Sequence, residues 1–305
     1  MYAVIGGIEQ WLEIEPGPAG APVILLVHGG PGASTRVASV MWQSWREHYT
    51  LVHWDQRGAG RTYIRNGPEG CQPMSFARIV ADGIEVAEYL LRELGHPRLF
   101  LLGHSWGGAV SVHMAKARPD LFLACATTGL VVNFRENEAV NHALLLELAR
   151  AAGNAEALAA IEGLGDPPYD RADAARVHRE WADRLVEGDG DSPSLKLTAP
   201  PTNLTAEDRE TGMASFQFSV QNLFADLCAM DLPALGPRFE VPMFCFMGTH
   251  DQQTPFVLAE AYFAGIEAPR KAFVPIAGCH HFVHMNRPET FLALLMEQLG
   301  TLGPE

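Results

Sequence analysis

The first 130 residues alternate between short apolar runs and longer stretches in which apolar residues recur with helical spacing. Continuous apolar runs bounded by turns are typical of strands that are buried on both faces. Strands are predicted at Val23–Val27, Thr50–Trp54, Arg98–Leu102 and Leu121–Thr127, and the continuous run Val23–Val27 is expected to be buried on both faces. Helices are predicted over Ser34–His48, Ser75–Leu94 and Ala109–Lys116, and a hairpin over residues 2–14. This alternation predicts βαβ units and an α/β fold with a mostly parallel sheet.

The pattern changes between about Val132 and Pro237, where no buried strand is evident. This stretch predicts helices at Glu138–Ala152, Ala155–Leu164, Arg171–Glu187 and Ser215–Leu227, with a loop over Gly188–Pro201. Strands are predicted again at Val241–Met247 and Lys271–Pro275, followed by a last helix at Pro288–Leu299. We therefore expect a core formed by residues 1–131 and 238–305. Residues 132–237 are expected to be inserted between two strands as a helical cap.

Composition narrows the class of protein without identifying a substrate. The 305 residues are 48% apolar, enough for one large core, and the formal net charge is −14. An acidic surface argues against binding to nucleic acid or anionic membranes. Five scattered cysteines suggest reduced thiols, and we see no secretory signal and no membrane-spanning run. The expectation is a soluble cytoplasmic protein whose oligomeric state the sequence leaves open.

The clearest chemical signal is Gly103-His104-Ser105-Trp106-Gly107, which lies between a predicted strand and a predicted helix. A serine between two glycines at such a turn is the nucleophile elbow. The glycines leave room for strand and helix to pack closely while the serine is pushed outward. The Ser105 hydroxyl would then lie at a helix N-terminus, where backbone N–H groups favour developing negative charge. The alternative is a glycine-rich turn with a capping serine.

A second glycine-rich loop, His28–Gly32, directly follows the first buried strand. In an acyl-transfer enzyme this is where an oxyanion hole needs a second backbone N–H donor. Gly30 is the first candidate for that donor and Gly29 the second. The alternative is a plain turn at the end of a strand.

A serine hydroxyl needs a base within hydrogen-bond reach, and the base needs an orienting carboxylate. In this kind of fold the expected order along the chain is Ser, then acid, then His. Asp251 and His281 follow the two later strands in that order, and His280 and His284 compete with His281 as the base.

Two other groups of residues invite a chemical interpretation that we disfavour. Cys279-His280-His281 with His284 resembles a metal-binding cluster, but one segment supplies too few well-spaced ligands. Asp55 and Arg57 are interpreted as a buried charged pair that braces the loop under the site. No metal and no cofactor are therefore expected.

Taken together, these motifs resemble the proline iminopeptidase-like group of α/β-hydrolases. The matching stretches are HGGPG at His28–Gly32, DQRGAGRT at Asp55–Thr62, GHSWGG at Gly103–Gly108, GTHDQQTP at Gly248–Pro255 and HFVHMNRPE at His281–Glu289. The resemblance implies an α/β-hydrolase fold, and it selects His281 over His280 as the base. It also implies an oxyanion hole formed by N–H groups of the HGGPG loop and of Trp106.

The chain departs from true proline iminopeptidases at the elbow and in the cap. His104 and Gly108 flank the elbow where those enzymes have glycine and serine. Those enzymes also carry cap glutamates that anchor the free amino terminus of the substrate. The nearest matches here are Arg179-Glu180-Trp181-Ala182 and Gln221-Asn222-Leu223-Phe224, which place alanine and a neutral amide at those positions. Other carboxylates that could substitute are Glu136, Glu138, Glu180 and Asp226.

Aromatic residues of the predicted cap are candidates to line a substrate pocket, although each could instead belong to the core of the cap. Together with Gly29 and Gln221, the candidate pocket residues are Phe134, Trp181 and Phe216.

The sequence thus predicts a serine hydrolase, free of cofactors, that acts on a small-molecule or short-peptide substrate. Ser105, Asp251 and His281 would form the catalytic triad, and the Gly30 and Trp106 N–H groups would stabilise the oxyanion. The alternative within hydrolases is a proline iminopeptidase. Acyltransferases, lyases and ligand receptors use the same fold and are the more remote alternatives.

Overall fold

The structure is a computed structural model that describes residues 1–169, 171–185, 204–300 and 302. One eight-stranded sheet runs through it, in the order β1-β2-β4-β3-β5-β6-β7-β8. The strands are β1 (Tyr2–Ile5), β2 (Ile8–Glu15), β3 (Val23–Val27), β4 (Thr50–Asp55), β5 (Leu99–His104), β6 (Phe122–Thr128), β7 (Met243–Gly248) and β8 (Lys271–Ile276). Strands β3 to β8 are parallel, and β1 and β2 add an antiparallel edge. The predicted mostly parallel sheet is confirmed.

Helices connect the parallel strands and cover both faces of the sheet. They are α1 (Gly60–Gly70), α2 (Phe76–Leu94), α3 (Trp106–Ala117), α4 (Phe134–Ala151), α5 (Ala155–Glu162), α6 (Ala172–Leu185), α7 (Ala206–Cys228), α8 (Phe256–Gly265), α9 (Val283–Asn286) and α10 (Pro288–Leu299). Residues Thr35–Glu47 form a 3₁₀ helix that is interrupted at Trp42. In α2, Ser75 caps the N-terminus and Gly95 ends the helix in a left-handed conformation, as predicted.

Several elements differ from the sequence prediction. The helices α1 and α8 were not expected, and α7 begins at Ala206 rather than at Ser215. A capping box between Thr205 and Asp208 fixes that start, because each residue's side chain accepts a hydrogen bond from the other's backbone N–H. The predicted loop at Gly188–Pro201 lies outside the described residues.

The apolar core divides into layers on the two faces of the sheet, since successive side chains of a strand point to opposite faces. On one face, Val23 and Leu25 of β3 pack with apolar residues of α2, α3 and α8. On the other face, Ile24 and Leu26 pack with the 3₁₀ helix and α10. Burial on both faces explains why β3 is a continuous apolar run.

Between β6 and β7, the described residues form α4 to α7 and contribute no strand to the sheet. Helices α4, α5 and α6 share a small core of their own, made of Leu145, Ala149, Ala157, Ile161, Trp181 and Ala182. Helix α7 instead packs against α1, where the rings of Phe218 and Tyr63 lie 5.2 Å apart. The cap boundaries at 131/132 and 237/238 stay a prediction.

Candidate active site

Ser105 occupies the tight turn between β5 and α3, and its backbone is strained. Its φ of 56° makes it the single non-glycine residue with positive φ in the described part of the chain. A Cβ at Gly103 would lie 2.4 Å from the Gly107 carbonyl oxygen, and one at Gly107 would lie 2.0 Å from that of Val27. Glycine is therefore needed at both positions for strand and helix to approach this closely, as the sequence predicted.

Asp251 and His281 are joined by a buried hydrogen bond of 2.8 Å between Oδ2 and Nδ1. The same carboxylate accepts hydrogen bonds of 2.9 Å from the backbone N–H groups of Gln253 and Thr254 and from the Thr254 hydroxyl. This arrangement fixes the His281 ring with Nδ1 as the donor, because a carboxylate can only accept. In the neutral imidazole, Nε2 then carries the free lone pair that a general base needs.

Ser105 and His281 both line a cavity of about 310 Å³ at the carboxyl ends of the parallel strands. No hydrogen bond joins their side chains directly in the described residues. Such contacts are often long in the absence of substrate and tighten when it binds. Gly129 makes room for the base, since a Cβ there would lie 2.7 Å from His281 Cε1.

The candidate oxyanion donors lie next to Ser105. A Cβ on Gly29 would lie 3.0 Å from Ser105 Cβ, so only glycine lets the loop after β3 come this close. Gly30 follows with a φ of 115° and also lines the cavity. Trp106 is the first residue of α3, so its N–H has no acceptor within the helix. These positions are the ones from which backbone donors could reach an oxyanion.

His104 lies in the cavity wall against His281. Its ring centre is 4.6 Å from that of His281 and 4.5 Å from that of His284. Burial, and then the two neighbouring histidines, hold the pKa of His104 well below its usual value. Burial lowers the pKa of His284 to about 3. Both rings behind the base are therefore neutral at pH 7.

The three histidines near residue 281 have different surroundings. His281 bonds to Asp251, whereas His284 stacks on Trp42 with ring centres 5.8 Å apart. His280 lies beside His250, at 5.9 Å. This segment therefore sends its imidazoles to three different places.

The interpretation of Asp55 and Arg57 as a pair is wrong, because each has another partner. Arg57 Nε donates to Asp82 at 2.8 Å. Asp55 accepts from the Ser34 hydroxyl and, at 2.8 Å, from the Arg61 backbone N–H. Both side chains are buried and brace the loop after β4, so their expected structural role is consistent with the geometry.

An ionic network at that loop reaches α7. Asp208 accepts from Arg61 at 3.0 Å and from Arg36 at 3.2 Å, and Arg36 also lies 3.7 Å from Asp55. These hydrogen bonds and guanidinium charges, acting against burial, lower the pKa of Asp208. The network ties the start of α7 to the sheet.

Most of the predicted pocket residues do line cavities. Gly29, Phe134 and Phe216 line the cavity that contains Ser105. Gln221 lines an adjoining, more open cavity of about 600 Å³, which shares Phe134 and Phe216 with the first. Trp181 is 7% exposed and packs in the core of α4, α5 and α6, so the structure does not bring it to either wall. An aromatic residue on a helix predicts burial but not the surface against which it packs.

Sequence reasoning missed several residues of the site. Thr254 donates to Asp251, and Gly129 leaves room for the His281 ring. Asn137 and Arg179 line the cavity from α4 and α6. A threonine three residues after the acid was the one local signal, since its hydroxyl and N–H can reach back to the carboxylate.

Helices α4 and α6 bury polar atoms that lack a hydrogen-bond partner among the described residues. These atoms are Asn137 Oδ1, Glu138 Oε2, Asn141 Oδ1 and His178 Nε2. Burial raises the pKa of Glu138 to about 7 and lowers that of His178 to about 4. Of these four residues, Asn137 lies in the wall of the Ser105 cavity.

Among the described residues, every helix is too short or too polar to cross a bilayer.

Comparison with known proteins gives a consistent assignment. Residues 19–288 match the family model described as serine aminopeptidase, S33. The probable aminopeptidase YbaC of Bacillus subtilis (strain 168) is 27% identical over 293 residues, covering 94% of this chain and 92% of that protein. A proline iminopeptidase of Lactobacillus helveticus is 22% identical over 96% of this chain and 95% of its own length. The solved structure of a proline iminopeptidase-related protein from Thermus thermophilus covers 100% of this chain and 98% of its own, with a TM-score of 0.64 and 24% identity.

Proposed function

The chain belongs to the S33 serine aminopeptidase family of α/β-hydrolases, and from that premise we propose that it is a serine hydrolase that cleaves a small ester or amide through an acyl-enzyme on Ser105. The observation that carries the proposal is the buried 2.8 Å hydrogen bond between Asp251 and His281, in a site whose cavity His281 shares with Ser105. An oriented imidazole beside a strained serine is what nucleophilic catalysis requires.

In the proposed reaction, His281 Nε2 removes the Ser105 hydroxyl proton as Oγ attacks the substrate carbonyl. The oxyanion that forms is held by the N–H groups of Gly30 and Trp106, and Asp251 stabilises the imidazolium. His281 then gives the proton to the leaving alcohol or amine, and an ester on Ser105 remains. Water repeats the sequence, with His281 as its base, and releases the acid.

The cavity supports a small, mostly apolar acyl group. Its volume of about 310 Å³ is at the lower end of ligand pockets, and its lining includes Val131, Phe134, Leu227 and Met285.

Labelling with a fluorophosphonate tests the nucleophile. We expect the wild type to be labelled on Ser105, and Ser105→Ala to lose labelling and ester hydrolysis. Ser215→Ala is the matched control, because Ser215 also lines the cavity but its hydroxyl donates to the Gly212 carbonyl at 2.9 Å. Wild-type turnover by Ser105→Ala, or loss of labelling in Ser215→Ala alone, would contradict the proposal.

A second candidate function is an aminopeptidase, including removal of N-terminal proline. The favouring observation is Glu138, which is buried close to the cavity, whereas Glu136 and Glu180 are exposed and Asp226 accepts from the Phe76 N–H. Among the described residues, Asn137 Oδ1 and Glu138 Oε2 are acceptors without donors, as an ammonium group would need. A panel of prolyl-naphthylamide, its N-blocked form and simple esters separates the two functions. A preference for the free amino terminus that Glu138→Gln removes would favour the aminopeptidase.

A further inference from the structure

Charged side chains in the walls of the two adjoining cavities are, with one exception, neutralised by ion pairs. Within the described residues these side chains are Arg36, Asp173, Arg176, Arg179, Glu180 and Asp208. Of these, Arg179 alone makes no ion pair within 4 Å in the part of the chain that the structure describes. It lies on α6 and lines both cavities.

The other five charges are all compensated nearby. Arg36 pairs with Asp208 at 3.2 Å, within the network that also holds Asp55 and Arg61. On α6, Arg176 pairs with Glu180, one helical turn away. Asp173 pairs with Arg171 at 3.3 Å. Among the described residues, a ligand therefore meets one cationic group whose charge is not already satisfied.

Arg179, which has no ion-pair partner among the described residues, also lies near the candidate reacting centre. Besides Arg179, the residues that line both cavities are Gly30, Phe134, Phe216 and Leu227. Gly30 is the candidate oxyanion donor. Three of these shared residues are apolar, so Arg179, an exposed residue, lies at the edge of a largely apolar wall. A guanidinium next to apolar surface binds a carboxylate more strongly than one in bulk water.

We propose that Arg179 binds a carboxylate of the substrate, which makes this hydrolase selective for anionic esters or amides over their neutral counterparts. The inference rests on the proposed function, because it concerns the substrate whose carbonyl Ser105 would attack. The substrate carboxylate would lie in one of the two cavities that Arg179 lines. Arginine suits this role because its planar fork pairs with both oxygens of a carboxylate. The carboxylate can belong to the acyl group or to the leaving group, since Arg179 lines both cavities.

The negative net charge of the chain disfavours an anionic substrate, so a cation in the cavity wall would be needed to bind one. The chain carries a formal charge of −14, which repels anions at long range. Glu138, on α4, also lies within electrostatic range of Arg179, whose charge lowers the carboxyl pKa against the larger effect of burial. Without Arg179, the charged groups left in the described cavity walls would be those already held in ion pairs.

Two pairs of esters test the proposal; in each pair, one member carries a free carboxylate that is a neutral methyl ester in the other. For the acyl side, mono-p-nitrophenyl adipate is compared with p-nitrophenyl methyl adipate. For the leaving-group side, 4-acetoxybenzoate is compared with its methyl ester. The measured quantity is the anionic-to-neutral ratio of kcat/KM, taken relative to wild type so that intrinsic reactivity cancels. We expect Arg179→Gln to lower this ratio about tenfold for at least one pair, with Arg179→Lys retaining part of it.

Arg184→Gln is the matched control, because Arg184 is an exposed arginine of the same helix that lines neither cavity. It should leave both ratios unchanged, which separates binding by Arg179 from the general effect of removing a positive charge. An unchanged ratio in Arg179→Gln, or an equal fall in Arg184→Gln, would overturn the proposal while neutral-ester hydrolysis continued. If the wild type hydrolysed no ester, the proposed function itself would fail, which is a different result.

Discussion

The Asp251 carboxylate on one side of the cavity and the polar side chains of α4 and α6 on the other differ in how fully they are hydrogen-bonded. At the strand ends, the Asp251 carboxylate accepts four hydrogen bonds and holds the His281 ring in one orientation. On the opposite side, Asn137, Glu138 and Asn141 of α4 and His178 of α6 each keep a buried polar atom without a hydrogen-bond partner in the described ranges. On the strand side, the carboxylate that bonds to His281 is thus fully hydrogen-bonded, although His280 Nε2 and His284 Nδ1 nearby lack a partner among the described residues. On the helix side, Asn137 Oδ1 in the cavity wall still has hydrogen-bonding capacity to offer a ligand.

The contrast separates two tasks. A group that must act on every substrate gains from being fixed in advance, because reorganisation during the reaction is then avoided. A group that selects substrates must have free capacity until a ligand arrives. We therefore expect changes on the strand side to lower turnover of all substrates alike. Changes on the helix side should alter stability or selectivity.

Asp251→Asn is expected to have the largest effect on the strand side. An amide can donate to His281 Nδ1 and thereby hold the ring in the wrong tautomer, so kcat should fall by about 10³–10⁴. The measurement is steady-state hydrolysis of a p-nitrophenyl ester, with circular dichroism to establish that the variant is folded. A loss smaller than tenfold would show that Asp251 does not orient the base.

Gly129→Ala should lower kcat by about 10², because its Cβ would displace the His281 ring from a contact of 2.7 Å. Gly153→Ala is the matched control: Gly153 also has positive φ, 63° against 56°, but no atom lies within 4 Å of its added Cβ. Both variants should lose similar stability from backbone strain. If both also lost activity equally, the clash with His281 would not be the cause.

Thr254→Val removes a hydroxyl that donates to Asp251 at 2.9 Å, at nearly constant side-chain volume. We expect kcat to fall about tenfold, because one of four donors to the carboxylate is lost and the base is held less firmly. KM should change little, which a full Michaelis profile measures. Thr254→Ser should restore most of the activity, and failure of that rescue would point to packing rather than hydrogen bonding.

Glu138→Gln should stabilise the protein by about 1–2 kcal/mol at pH 8. Burial raises the pKa of Glu138 from 4.5 to about 7 in the folded state. The unfolded chain therefore loses this proton first as the pH rises, and stability falls between pH 4.5 and 7. The neutral amide removes that loss, so the benefit should vanish towards pH 4.5.

Urea unfolding at pH 5 and pH 8 measures this difference. Glu147→Gln, on an exposed position of the same helix, is the control and should show no such pH dependence. A Glu138→Gln variant that was less stable than wild type at pH 8 would mean that the carboxylate has a stabilising partner.

Contacts between residues close together in the sequence were predictable, whereas contacts between distant residues were not. The elbow is a local device, since Gly103, Ser105 and Gly107 meet within five residues, and its geometry was predictable. Strand-end positions were also predictable for Asp251 and His281, because parallel strands bring their carboxyl ends to one edge. The pairing of Arg36 with Asp208 joins residues 172 positions apart and has no local signature.

The packing of the inserted helices was harder to predict, because it too depends on contacts between residues distant in the sequence. Their periodicity correctly indicated that Trp181 is buried, but not that it packs against α4 and α5 rather than the cavity. Arg179 was also hard to predict as a cavity residue, because an exposed arginine on an amphipathic helix usually has no role beyond the solvated face. Only the packing of α6 beside α7 and the loop after β3 shows that it borders the site.

The strained backbone at Ser105 has a consequence for how this chain can change over evolutionary time. Position 105 is one at which glycine would adopt the same φ without penalty, so the sequence that folds most stably is not the one that carries a hydroxyl there. A lineage released from the need for that hydroxyl would gain stability by losing it. Serine at this position is therefore consistent with the nucleophile role proposed for it, which would repay the lost stability.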